Sequence, residues 1–179
     1  MRRHEERLPK EWLPSRNAPV LQALLQSSPH LWHALRTAIA AASAYGLAEL
    51  IGIPESYWAA ISAIIVMQSS LGAAWSTSKQ RLQGTVLGVV LGACLVSALG
   101  MHLLLYGIAM VGLGWLCGLL RLELIGYRFA GVTFTIVVLA ADPAQVWWIG
   151  LYRFLEVSLG IATSLVVTAA SAQFGDRLS

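Results

Sequence analysis

Charge stands where the surrounding sequence is apolar at five places: Arg36, Glu49, Arg81, Arg153 and Glu156. An ionised side chain within hydrocarbon is costly, so each needs a physical reason. Arg153 and Glu156 lie three apart, on one face of any helix that holds both, and can pair there. Arg36 and Arg81 each lie near one end of an apolar segment. Two readings fit them. Their long stems let the guanidinium reach a polar boundary. Alternatively, the arginines line a polar path and attract an anion, since a guanidinium fork gives a carboxylate two hydrogen bonds and stays charged at any working pH. In the second case Glu156 or Glu49 supplies a group that takes up and releases protons.

Hydroxyl and amide side chains form a second set. Ser62, Gln68, Ser69 and Ser70 occur on one short apolar segment, and Thr133 and Thr135 on another. They line a path or bond back to their own helix carbonyls, and the sequence leaves both open. Nothing has the spacing of a nucleophile triad, a phosphate loop or a metal site. His4, His30, His33 and His102 are scattered, and His30 and His33 read as interfacial residues. Cys94 and Cys117, the two cysteines, sit in apolar stretches and read as small buried hydrophobes. The expectation is a chain with no catalytic residue, no cofactor and no metal, which is not an enzyme.

The elements that must position these residues follow from composition. The 179 residues are 57% hydrophobic and 12% charged, against about 25% charged in an ordinary soluble domain. Mean hydropathy is +0.67. Such a chain lacks the polar surface of a soluble fold. The net charge of +3 is spread singly between apolar runs, which argues against a nucleic-acid face.

Dividing the chain into runs of about 20 apolar residues predicts an all-α membrane protein with six transmembrane helices. A basic leader covers 1–30, with Arg2, Arg3, Arg7, Lys10 and Arg16 and no apolar core of signal-peptide type, and Val20 to Leu25 has the length of a short turn of interfacial helix. The membrane module covers 31–171. Its first span runs from about Leu31 to Ile53, and the second from Tyr57 to about Leu71. Two more fill Leu82 to Leu120 with a break near Gly100-Met101-His102. A fifth runs from Phe129 to Ala141, before Asp142-Pro143, and a sixth from about Val146 to Ala170. A polar tail covers 172–179.

Lys and Arg test this division, because cytoplasmic connections collect positive charge. The leader holds five; the connections after spans two and four hold Lys79 with Arg81 and Arg121 with Arg128; the tail holds Arg177. The connections after spans one, three and five hold none. That alternation predicts both termini in the cytoplasm, with Trp58, Trp147 and Trp148 near the outer interface, where indoles are favoured.

The two halves look related at a spacing of about 71 residues, matching Tyr57 with Tyr127, Ile61-Ser62 with Val132-Thr133, Arg81 with Arg153 and Gly88 with Gly160. Three spans per half make the repeat inverted, a building plan of transporters in which short segments at matching positions point to the binding site. Spans two and five are the short ones in this division. Gly84, Gly88 and Gly92 recur every fourth residue and suit close helix packing, against this chain or a second copy.

YWAAISAIIVMQSS, followed after a polar link by RLQGTVLGVVLG, resembles the signature of fusaric-acid-resistance-like proteins, also called aromatic acid exporters, with the plant aluminium-activated malate transporters as distant relatives. LWHALRTAIAAASAY resembles the family's first helix and the stretch from Arg153 to Gly160 its last. The resemblance covers about residues 30–171. It implies a six-helix module of the bacterial inner membrane that exports aromatic or other organic acids, often as a dimer or as two fused modules. Tyr57, Trp58, Arg81, Gly84, Thr85 and Gly88 match the family motif. Many members carry a second module or a cytoplasmic domain; neither is expected here, and pairing with a second copy as a homodimer is. The function expected first is export of small carboxylates. A passive anion channel and a non-transporting partner or assembly subunit stand as alternatives. Expected partners are membrane lipid, a small organic anion and a second copy, with no nucleic acid.

Overall fold

Every regular element in the computed structural model is an α-helix; it describes residues 18–100, 102–140 and 144–175. The basic residues of the leader, Asp142-Pro143 and Arg177 lie outside them. Among the described residues six helices follow in order: α1 Ala18–Ile51, α2 Tyr57–Val66, α3 Leu71–Leu99, α4 Leu103–Leu119, α5 Leu124–Ala140 and α6 Val146–Gly175. The stretches His30–Ile51, Leu71–Leu99 and Val146–Gln173 are each long and apolar enough to cross a membrane, and the other three helices are apolar but shorter. The chain divides into two units, residues 1–34 and 35–179. In the first, Leu31 and Trp32 of α1 are exposed. The second holds the rest of α1 and the other five helices.

Local chemistry sets where the helices stop. Gly52 takes a left-handed φ of 75°, and the amides of Gly52 and Ile53 turn back to the carbonyls of Glu49 and Ala48. That pattern closes a helix C-terminus with glycine just past its end, and Pro54 comes next, unable to continue it. The amides of Arg121 and Leu122 close α4 the same way on Gly118 and Cys117, with Arg121 itself at φ 55°. At the start of α3 the Ser70 hydroxyl accepts the Ala73 amide at 3.3 Å, which satisfies one of the helix's four unpaired N–H groups.

Several boundaries differ from those expected. The polar run from Ser76 to Arg81 is no link; it is helix, because the chain breaks earlier, at Met67–Ser70, where Met67 is extended. α2 is therefore only 10 residues long. α5 begins at Leu124 and has 17 residues, as many as α4, so it is not set apart as short. α1 begins at Ala18, earlier than Leu31, and α6 runs on to Gly175. Lys79, Arg81 and Arg128 consequently sit within the early turns of helices, and the connection at Met67–Ser70 carries no positive charge.

Small residues hold the bundle together. Ala40, Ala44 and Ala48 form a fully buried strip every fourth residue on α1, packed with Ala59, Ala63 and Met67. Val89, Ala93 and Val96 of α3 form a second cluster with Leu113 and Cys117 of α4 and Ala130, Phe134, Val137 and Val138 of α5. The chief pairings are α3 with α5, and α6 with both α2 and α3. Large apolar side chains face outward in number, among them Leu103, Leu104, Val111 and Trp115, each more than 70% exposed. A surface of that kind suits hydrocarbon rather than water.

Candidate functional site

The glycine stripe meets a helix of the same chain. A methyl group on Gly84 would stand 2.6 Å from the Gly126 carbonyl oxygen, and one on Gly88 would stand 2.5 Å from that of Ala130. A methyl group on Gly92 would press on Val137 at 3.0 Å. These three glycines let α3 lie directly on the backbone of α5, the close approach that small residues allow. Gly160 does the same for α6 on α2, against Ala59, Ser62 and Ala63.

The two contacts correspond residue by residue. Gly88 touches Ala130, Thr133 and Phe134; Gly160 touches Ala59, Ser62 and Ala63, each about 71 positions earlier. At that register Trp58 matches Phe129, and Tyr57 matches Arg128 rather than Tyr127.

Two buried arginines follow the same correspondence. Arg81, on α3, lies with its guanidinium carbon 4.7 Å from the centre of the Phe129 ring. Arg153, on α6, lies 4.7 Å from the centre of the Trp58 ring. A cation over an aromatic face is worth from about 0.5 to 2 kcal/mol, more when water is excluded. Both residues are nearly sealed, at 4% and 5% exposure over the whole residue. The expectation that Arg81 extends to a polar boundary is thus not how its side chain lies.

Their polar partners differ. Arg81 donates from Nη2 to the hydroxyl of Ser62 at 3.2 Å, and its backbone carbonyl accepts the Thr85 hydroxyl at 2.8 Å. Among the described residues no carboxylate lies within ion-pair distance of Arg81. Arg153 has two. Its Nη2 pairs with Glu55 Oε2, and its Nη1 stands 3.1 Å from Oε2 of Glu156. The indole N–H of Trp58 also donates to Glu55 Oε2, at 3.2 Å. Glu156 is fully buried. Pro54, Glu55, Ile136, Ile149, Arg153 and Glu156 enclose most of a cavity of about 110 Å³.

Arg36, 8% exposed, donates to the backbone carbonyl of Gln68 at 3.3 Å, bracing α1 against the break between α2 and α3. Gln68 thus contributes its backbone. Thr133 is buried in the contact with Gly88. The Thr135 hydroxyl donates to the Gly131 carbonyl at 2.7 Å and lies 2.9 Å from the Tyr106 hydroxyl. Thr135 also helps line an open groove of about 610 Å³ with Trp58, Met110, Tyr127 and Arg128. Tyr57 is exposed and leans on Trp58, ring centres 5.7 Å apart. The predicted residues therefore fall into an Arg81–Ser62 site, an Arg153–Glu156–Trp58 site, an Arg36–Gln68 brace and the groove.

Two residues escaped the sequence reading. Phe129 was legible as the match of Trp58 about 71 positions on. Glu55 had no such signal, since it lies in the turn between α1 and α2, 98 residues from Arg153.

Residues 37–167 match the family described as Fusaric acid resistance protein-like. An uncharacterized transporter of Gluconobacter oxydans is 30% identical over 142 residues, which is 72% of this chain and 19% of that protein. The uncharacterized transporter YdhK of Escherichia coli is 31% identical over 158 residues, 82% of this chain and 23% of that protein. The chain spans about a fifth of the length of these curated relatives. It belongs to the fusaric acid resistance protein-like family.

Proposed function

We propose that this member of the fusaric acid resistance protein-like family is the membrane module of an exporter of small organic anions, aromatic carboxylates among them, in the bacterial inner membrane. One observation carries the reading: Arg81 is a buried guanidinium with a hydroxyl and an aromatic ring about it but no carboxylate among the described residues. A charge so placed is poorly compensated. An entering carboxylate completes it, and a charge-assisted hydrogen bond of that kind is worth about 1.5–3 kcal/mol.

The reading includes six crossings, both termini in the cytoplasm, and two inverted halves. The matched contacts of Gly88 and Gly160 and of Arg81 and Arg153 support the repeat. An odd number of helices per half then places Arg81 and Arg153 toward opposite faces of the bilayer, each beside the other half's second helix. The path connects Arg36, Arg81 and Arg153, and a second copy of the module pairs with the first. The exposed face of α4, where Gly107 and Gly118 meet nothing within 4 Å, admits such a neighbour.

The test is uptake of labelled benzoate into liposomes that contain the purified chain. Wild type carries flux above protein-free liposomes, and Arg81→Ala lowers it by roughly ten- to a hundredfold, the loss of one charge-assisted contact. Equal flux in wild type and Arg81→Ala, or none in either, overturns the reading.

A further inference from the structure

The corresponding sites of the two halves are built differently. At the spacing of about 71 residues, Glu55 and Glu156 correspond to Gly126 and Gly84. Beside Arg81 those glycines touch, leaving 2.6 Å between the Gly126 carbonyl oxygen and a methyl group on Gly84. Beside Arg153 the same two positions hold glutamates, and a cavity opens there. At one site backbone occupies those two positions; at the other they carry acid, with room for water.

Charge and size define what that cavity takes. Two carboxyl groups face one guanidinium, so with both ionised the cluster holds one negative charge in excess. Glu55 stands at the mouth with its side chain 51% exposed, whereas Arg153 and Glu156 lie behind it at 6% and 0%. Neither oxygen of Glu156 has a well-aligned hydrogen bond, although Arg153 is its ion-pair neighbour. At about 30 Å³ per water, the 110 Å³ cavity has room for roughly three. A cavity that takes a bare benzene ring measures about 150 Å³. Water fits the space, and an aromatic acid, larger than that ring, does not.

From this we propose that Glu156 is a proton-binding site, reached from Glu55 through the small cavity, and that its protonation is linked to the binding of the transported anion. The linkage rests on the anion-transport reading above; the site itself does not. The proton passes from a hydronium ion in the cavity to an oxygen of Glu156, forming one O–H bond and leaving water behind. Glu55 and Arg153 then remain as a neutral pair, and the negative charge that opposed an anion is gone. Proton and anion therefore favour each other's binding, reciprocally. The charged groups facing Glu156 are Glu55, from the turn before α2, and Arg153, on α6 itself. Tyr152 of α6 and the apolar Ile136 of α5 complete the wall, to which α3 contributes no residue.

Infrared difference spectra of the full chain in liposomes, between mildly acid and mildly alkaline buffer and with no organic anion present, read the site directly. Wild type shows a protonated-carboxyl band that Glu156→Gln removes, Glu156→Asp displaces in frequency and Glu55→Gln leaves in place. A band that survives Glu156→Gln and is unmoved in Glu156→Asp, or no band at all, overturns the site. The linkage is read by benzoate flux at the same two pH values. Wild type carries more at acid pH, and in Glu156→Gln the acid-to-alkaline ratio falls to about one. A ratio unchanged by that substitution overturns the linkage. A Glu156 band without benzoate flux in any variant sinks the anion-transport reading alone, since the band needs no anion.

Discussion

Gly160 of α6 rests on Ala59 of α2 so closely that a methyl group there would overlap the Ala59 carbonyl oxygen and stand 2.6 Å from the Ser62 side chain. Helix backbone cannot yield as the tip of a flexible side chain does, so the contact leaves room for hydrogen alone. Ser62 is also the residue that receives Arg81. Packing of α6 thus fixes the position of a hydroxyl used by a residue of α3.

Gly160→Ala and Gly88→Ala are expected to destabilise the folded module by about 1–3 kcal/mol each, the usual penalty of overpacking. Gly107→Ala, on α4, meets nothing within 4 Å and is expected to be neutral or to stabilise by up to about 1 kcal/mol, since alanine is the better helix former. Denaturation of the detergent-solubilised protein followed by circular dichroism measures all three. Equal midpoints for Gly160→Ala and Gly107→Ala would contradict the packing described.

Removing one partner of the buried pair leaves the other charged and alone. Arg153→Met is expected to lower stability by about 3–5 kcal/mol, whereas Arg153→Met combined with Glu156→Gln recovers most of it. The double-mutant cycle measures the coupling. A double variant no better than the single one would show that Arg153 and Glu156 do not depend on each other.

The aromatic partners are expected to matter to different degrees. Trp58→Leu removes both a cation–π face and a hydrogen bond to Glu55, while Phe129→Leu removes the face alone. The first is expected to cost more by about 1 kcal/mol, the worth of one hydrogen bond. Thermal melts of the two variants side by side would settle the order.

Topology is open to chemical labelling. In a Cys94→Ser background, Lys79→Cys is expected to react with a membrane-impermeant maleimide only after the inner membrane is opened, and Gln145→Cys to react in intact spheroplasts. Reaction of Lys79→Cys from outside would invert the assignment of faces.

Much of this arrangement is legible in the sequence. The apolar runs marked all six helices, and the charges embedded in them marked Arg36, Arg81, Arg153 and Glu156 as residues in need of partners. The division failed where polarity was taken for irregularity. Ser76, Thr77, Lys79 and Gln80 are polar yet helical, while the real break at Met67–Ser70 carries the more local sign, a serine placed to cap the next helix. Glu55 stayed hidden for a different reason. Its role comes from a turn that returns it to a helix 98 residues away, and no periodicity reports a contact of that kind. The partner of the glycine stripe, open at first, is α5.

The crossed pairing of helices bears on how the chain comes to be made. The third helix of the early half finds its closest seat on the second helix of the late half, and the reverse holds for α6 on α2. A ribosome that has made α3 but not yet α5 has therefore produced a glycine groove whose partner is still to come. Packing of α3 must follow synthesis of α5, and packing of α2 must follow synthesis of α6.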